Sequence, residues 1–411
     1  MATYTFTELE ERYAGFEIPI AVIKINGKDV GDNKVSLVFS DFEVELTSGF
    51  EASIASFTIY NSYSRNLDAF FIEELKPYIL LGSSVEIALG YSSNAVEVFS
   101  GYIARVNFIY EEGGAPGIRI TAMDVKGAMM ANNYSKQIYA KSYGEAVQQI
   151  LQNGPYQSMT NADIIRSINV SDTPDKEAGG IGDGGDAAGM GGVDNKVTDR
   201  TIEMVAESDY EFIVKAAKKY NFEFFTDCGN VYFRPAKSDP EILMEMGPAD
   251  GLRFFDVEYD ITGQVETVKA RSTNVGKAKL IEAKEKLNNK LSIGNKAKRF
   301  VKKTEKVYLD ATINSQEEAN YRVKSLVEEI SYRFGTMECE CIGMPELRPG
   351  KFLVLKFMGE PPENKFYLYR VVHKMSESVG FTTKLYGKSA SITNDETTEI
   401  GGIGGIAGGL I

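Results

Sequence analysis

The sequence predicts a β-rich α+β protein in which two β-rich regions, 17–135 and 251–390, bracket helical and irregular inserts. Three observations carry this. Long runs in both regions alternate apolar and polar residues, as strands with one buried face require. The aromatic supply is 22 Tyr and 23 Phe with no Trp, which suits pleated surfaces. Helical periodicity is confined to short stretches near 140–170, 207–220 and 315–334. A chain of 411 residues exceeds one ordinary core, so more than one domain is expected.

The first domain is set at 1–135. "AVIKINGKDV" reads as two strands about an Asn26-Gly27 turn. "VSLVFSDFEVELTSGFEASIASFTIYN" alternates throughout, and "SSVEIALGY", "VEVFSGYIARVNFIY" and "GIRITAMDV" follow at the spacing of a barrel or sandwich. Gly90 and Gly101 mark bulges or bends.

Residues 136–250 form a helical and irregular region. Ala146, Val147, Ile150 and Leu151 keep a helical period that Gly154-Pro155 ends. The Gly/Asp-rich segment 172–195 has almost nothing to pack and reads as a loop or linker. Its Gly180, Gly182 and Gly185 fit G-x-G-x-x-G, but no strand precedes them, so a dinucleotide site is not expected. A helix and hairpin follow at 207–235: Ser208 and Glu211 make a capping box, and Phe212, Ile213, Ala216, Ala217 and Tyr220 share one face. Lys218 and Lys219 suit the helix end, Asn221 closes it, and "FEFFT" and "VYFRP" pair about "DCGN".

The second β-rich domain is set at 251–390, with a basic insertion at 276–306 and a Gly/Ile-rich tail at 391–411. Ser315 caps a helix with a stripe of Ala319, Val323, Leu326, Val327 and Ile330. Strands resume in "GTMECECIGM", "KFLVLKFMG", "KFYLYRVVHKMS" and "FTTKLYGKSA".

Charge separates function classes. The chain carries −13, which disfavours nucleic acid as a partner. Yet 269–306 holds 13 Lys/Arg against 3 Asp/Glu, a local +10 that leaves −23 to the remainder. Lys296, Lys298, Arg299, Lys302, Lys303 and Lys306 either face solvent or dock an acidic neighbour. No run is long and apolar enough to span a membrane, the N-terminus has no signal-peptide pattern, and the three cysteines fit no disulfide framework, so synthesis in a cytoplasm is expected.

Catalytic patterns are missing. His373 is the sole histidine and lies in a strand without a local acid–base partner. Cys228, Cys339 and Cys341 are odd in number, and "CEC" sends two thiols to one face without further metal ligands. Glu207 and Asp209 are the only evident carboxylate pair, and acids at a helix start serve capping and the dipole equally well. No catalytic, cofactor or metal residues are therefore assigned.

Three blocks in order carry a resemblance: "VEVFSGYIARVNFIY…IRITAMDV", "VAESDYEFIVKAAKKYNFEFFTDCGNVYF" and "SQEEANYRVKSLVEEISYRFGTMECECIGMPELRPGKFLVL…FYLYRVVHKMSESVGFTTKLYG". The last contains a G-x-P-x-L-x-P-G loop (Gly343, Pro345, Leu347, Pro349, Gly350) and an ending with His373, Gly380, Phe381 and Thr383. Together they resemble the phage late control D or baseplate hub family, shared with the N-terminal part of VgrG spikes. The resemblance implies two related β-barrels per chain and a homotrimeric hub without a catalytic site. It further implies a tail tube or tube-initiator protein above, a spike below and wedge proteins around, in a phage tail, tailocin or contractile injection system. Unlike VgrG, the chain stops soon after "LYGKSASI", so a separate spike subunit is expected, docked by Ile400, Ile403, Ile406, Leu410 and Ile411. Two other classes stay open: a hub-associated cell-wall hydrolase using Glu207 and Asp209, and a module binding an effector or target.

Overall fold

The computed structural model describes residues 2–32, 36–175, 201–274, 279–287, 291, 296–313 and 315–392. The Gly/Asp-rich segment beyond 175 and all five tail residues, Ile400 to Ile411, lie outside them.

Thirteen strands form one large sheet, and both β-rich regions contribute to it. The amino-terminal half supplies Pro19–Ile25, Lys28–Asp29, Val38–Thr47, Ile54–Tyr60, Ser84–Tyr91, Asn94–Ile109 and Gly117–Met123. The carboxy-terminal half supplies Ile242–Met246, Leu252–Tyr259, Gly335–Ile342, Phe352–Leu355, Lys365–Ser376 and Gly380–Ser389. The halves join where Val38–Thr47 pairs antiparallel with Lys365–Ser376, from Phe42↔Met375 to Thr47↔Arg370. Inward residues of both halves, among them Val44, Phe57, Ile120, Cys339, Val371 and Leu385, share one core. The alternation is faithful: Met337, Cys339 and Cys341 are buried while Thr336 is exposed. Asn26 and Gly27 both take positive φ at their turn, 49° and 73°. At Gly101 in the strand Asn94–Ile109 the backbones approach closely, so that an added Cβ would lie 2.3 Å from the Met123 carbonyl oxygen. The strand's register irregularities fall between Glu97 and Phe99 and between Ile103 and Arg105.

A second core forms about the helices Tyr143–Gln152 and Asp209–Tyr220 and the hairpin Phe222–Asp227/Asn230–Pro235. Ser208 Oγ accepts from Glu211 N at 3.1 Å, Glu211 returns to Ser208 N at 2.7 Å, and Asn221 ends the helix at φ 59°. Two expectations change. Gly154 ends one helix, but Pro155 opens another, Pro155–Asn161, because proline suits the first helical turn. The 140–170 stretch also ends in a strand, Ser167–Val170, parallel to Asn230–Pro235.

A third core takes in part of the segment that composition marks as a basic insertion, 276–306. Lys279–Lys286 and Glu305–Leu309 flank the central strand Thr267–Asn274. The helix Gln316–Ser331 covers this sheet with Ala319, Val323, Leu326 and Ile330 against Val268, Ala270, Ile281 and Ala283. The alternation of Ile281 and Ala283 is masked by the charged residues around them, Lys279, Glu282, Lys284, Glu285 and Lys286. The short helix Lys296–Val301 buries only Ala297, beside Leu291, Phe334 and Ile392.

Candidate functional site

The carboxylate candidates diverge. Glu207 turns outward onto Lys215 Nζ at 2.5 Å. Asp209 turns inward and is almost fully buried. It accepts hydrogen bonds from Tyr134 Oη at 2.5 Å, Tyr156 Oη at 2.7 Å and Asn132 Nδ2 at 2.8 Å. Burial alone would raise its pKa, but these donors and Lys136 outweigh burial and hold the carboxyl below its ordinary range. A carboxylate so tied is an anchor between the helix start and the Asn132–Tyr156 segment, and an ill-suited proton donor.

His373 is wholly buried and its Nδ1 meets Thr383 Oγ1 at 2.9 Å. Burial, reinforced by the Arg348 charge, lowers its pKa to about 3, so the ring is neutral at physiological pH. Burial raises the thiols of Cys228 and Cys339 to about 12 and lifts that of Cys341 well above its ordinary range, which keeps them protonated and unreactive. A cleft of about 730 Å³ between the Asp209 and Gln316 helices is lined by charges that already have partners: Lys215 with Glu207, Lys219 with Glu318 and Arg322 with Asp310.

The three sequence blocks meet at Arg348, inside the G-x-P-x-L-x-P-G loop. Its Nη1 donates to Asp227 Oδ1 at 2.6 Å and lies 3.0 Å from Cys228 Sγ, both on the hairpin turn. Its Nη2 donates to the Glu97 carbonyl on Asn94–Ile109. The hairpin reciprocates when Arg234 Nη2 donates to the Gly350 carbonyl at 3.1 Å. On the loop's other side, Glu346 is buried and accepts from Tyr13 Oη at 2.6 Å and Arg12 Nη1 at 3.0 Å. Thr383 Oγ1 accepts from Met344 N at 3.0 Å, and Phe381 packs over Gly343, where an added Cβ would lie 2.1 Å from the ring. The family-like residues thus form a structural junction that locks the first β-rich half, the hairpin and the closing strands together. Sequence reading singled out the glycines and prolines of this loop and missed Arg348, Asp227 and Glu346. Their partners lie 120 or more residues away, for example Asp227 at 121 from Arg348 and Tyr13 at 333 from Glu346.

Lys296, Lys298, Arg299, Lys302, Lys303 and Lys306 are all exposed. None makes an ion pair among the described residues, and the Lys306 ammonium rests on the Tyr308 ring at 5.3 Å. Among the described residues no helix is long and apolar enough to cross a membrane, and no three His, Cys, Asp or Glu side chains gather as a metal site.

Comparison with known proteins places this architecture. The family model of the Alg8 N-terminal domain matches residues 193–377, a span that omits the amino-terminal strands of the large sheet. No curated protein matches the sequence. A tail protein from Neisseria meningitidis MC58 superposes with a TM-score of 0.62 at 11% identity, over 91% of this chain and 97% of that one. The 43 kDa tail protein of prophage MuSo2 from Shewanella oneidensis gives 0.62 at 12% identity, over 90% and 98%. The E. coli c3393 protein, a component of the type VI secretion system similar to the T4 bacteriophage tail proteins gp27 and gp5, gives 0.53 at 10% identity, over 89% and 76%. At such identities the likeness is one of fold: the chain has the β-rich fold of these tail proteins along almost its whole length.

Proposed function

We propose that this chain is a structural hub of a phage-tail-like assembly: a homotrimer that joins a six-fold tube to a three-fold spike and carries no active site of its own. The observation behind the reading is the junction at Arg348, in a chain that superposes on tail proteins over 91% and 90% of its length. Three sequence blocks distant in the chain are spent on holding domains rigidly together, which is what a component under axial load requires. The titratable groups that chemistry would use are occupied: Asp209 by three donors, Glu207 by Lys215, and His373 by burial. Three copies of a chain with two β-rich halves present six comparable units to the tube and three-fold symmetry to the spike. The relatives suggest either a phage-type tail or a type VI-like device as the host particle. In this reading the exposed lysines of the third core meet an acidic neighbour. Ile400, Ile403, Ile406, Leu410 and Ile411 seat the spike.

The test is particle geometry. Purified chain viewed by negative-stain microscopy is expected as rings with three-fold symmetry, and a monomer at high concentration opposes the reading. For the tail, truncation after Asn394 is expected to abolish co-purification of the cognate spike, and undiminished capture removes those five residues from the proposal.

A further inference from the structure

The end of the described chain is held at a fixed point. Asn364, buried just before the strand Lys365–Ser376, donates its Nδ2 to the Ser391 carbonyl at 2.6 Å. Ser389 Oγ donates to the same oxygen at 3.0 Å. The next residue, Ile392, is buried and packs with Leu291, Ala297 and Phe334. Ala297 is the inward residue of the helix Lys296–Val301. The chain therefore leaves the sheet against this helix, and the sequence beyond Ile392 starts there.

The helix has few contacts of its own. Of its six residues only Ala297 is buried, with Val301 half-buried beside it. A helix of under two turns is not stable alone in water. Lys296, Lys298, Arg299 and Phe300 are exposed, as are Lys302 and Lys303 directly after the helix. Lys296 and Arg299 lie three apart and Lys298 and Lys302 four apart, so like charges are neighbours and oppose the helix. Among the described residues none of these five cations makes an ion pair. The acid that reaches this end, Glu266, accepts from Lys303 N at 2.5 Å and pairs instead with Lys286 Nζ at 3.6 Å.

The sequence past Ile392 supplies the missing anions. Residues 393–399 read T-N-D-E-T-T-E, and 393–411 holds no Lys or Arg. At about 3.5 Å per extended residue, Asp395 lies within about 10 Å of Ile392 and Glu399 within about 25 Å. The helix is about 9 Å long, so it and the two lysines after it fall within that reach.

We propose that the cations of 296–303 are the seat of this chain's own acidic segment, 395–399. Carboxylates set among the lysines and Arg299 relieve their mutual repulsion and supply the cover that the short helix otherwise lacks. The contact is intramolecular across a short tether, so a few exposed ion pairs suffice to form it. The seat also fixes the point from which Ile400 and the apolar residues after it begin. It puts a segment of the chain itself in place of the unnamed acidic neighbour of the reading above, and it does not depend on trimerisation.

The experiment is zero-length carbodiimide crosslinking of the full chain, with peptides read by mass spectrometry, beside hydrogen exchange of the 296–301 amides. Links from Lys296, Lys298, Lys302 or Lys303 to Asp395, Glu396 or Glu399 are expected in the product that keeps single-chain mass on a denaturing gel. Their absence overturns the proposal, and so does their appearance only in a product of two-chain mass, which would assign the segment to a second copy. Lys298→Glu, Arg299→Glu and Lys302→Glu together are expected to speed exchange of the helix about tenfold, the sum of two or three exposed ion pairs. Adding Asp395→Lys, Glu396→Lys and Glu399→Lys to the same chain is expected to restore protection to within about threefold of the natural chain. A six-fold variant no better protected than the triple overturns the seat. Both readouts are independent of the mass in solution, which decides the hub reading separately.

Discussion

Replacing Asp209 with Ala separates a structural anchor from a catalytic acid. The substitution removes the acceptor for Tyr134 Oη, Tyr156 Oη and Asn132 Nδ2. Tyr156 is 1% exposed and has no access to water, while Tyr134 and Asn132 are half-buried and recover part of their loss from solvent. One stranded donor, two partly compensated ones and a lost helix-start charge sum to about 3–4 kcal/mol of lost stability. Asp209→Asn keeps the shape and one acceptor and costs about 1–2 kcal/mol. The assay is the urea midpoint at unchanged m-value, run beside release of fragments from peptidoglycan. The pH dependence has a defined sign: the folded pKa lies below the unfolded value, so the Asp209 contribution is complete above about pH 4 and is lost as pH falls through the folded value. An Asp209→Ala protein as stable as the natural one, with peptidoglycan turnover that the substitution abolishes, would falsify the anchor and restore the hydrolase.

Further outcomes follow from the same geometry. Arg348→Ala leaves Asp227 without its cation and the Glu97 carbonyl without its donor, at a cost of about 3 kcal/mol read from the urea midpoint; Arg348→Lys recovers only part, because one ammonium cannot reproduce the fork. His373 is the single histidine and its pKa falls from 6.5 to about 3 on folding, so its neutral form is favoured. Stability is then complete above about pH 6.5 and declines by up to about 1.4 kcal/mol per pH unit toward the folded value, and His373→Gln flattens the midpoint-versus-pH curve between pH 6.5 and 4.5; a slope shared by both proteins would show that the ring is not buried neutral. Gly343→Ala sets a methyl against the Phe381 ring and is expected to cost about 2 kcal/mol in the same assay, with Phe381→Leu recovering part of it.

What could be read in the sequence was local. The Ser208–Glu211 capping box, the Asn221 helix end and the Asn26-Gly27 turn depend on residues within four positions of one another, and all three stand in the structure. The alternation in "GTMECECIGM" marks its buried face directly. In the basic stretch the same signal was masked: Ile281 and Ala283 pack inward between lysines and glutamates, so composition suggested a solvated insertion where a strand lies. The junction at Arg348 and the clamp on Asp209 were illegible for a different reason. Their partners come from segments 53 to 251 residues away, and no periodicity encodes which buried cation finds which carboxylate. Of the motif residues singled out in the sequence, Gly343, Gly350, Phe381 and Thr383 do lie at the junction, but Arg348, Asp227 and Glu346, which hold it together, do not stand out there.

In the proposed function this chain acts by assembling with itself and its neighbours. Its most direct test is the mass of the purified chain in solution across a concentration series, by light scattering and native mass spectrometry. The account predicts a species of three chains, each of 45.3 kDa, that dominates as concentration rises and shows three-fold symmetry by electron microscopy. A chain that remains monomeric at the highest concentration, and stays so in the presence of its cognate tube and spike proteins, contradicts it.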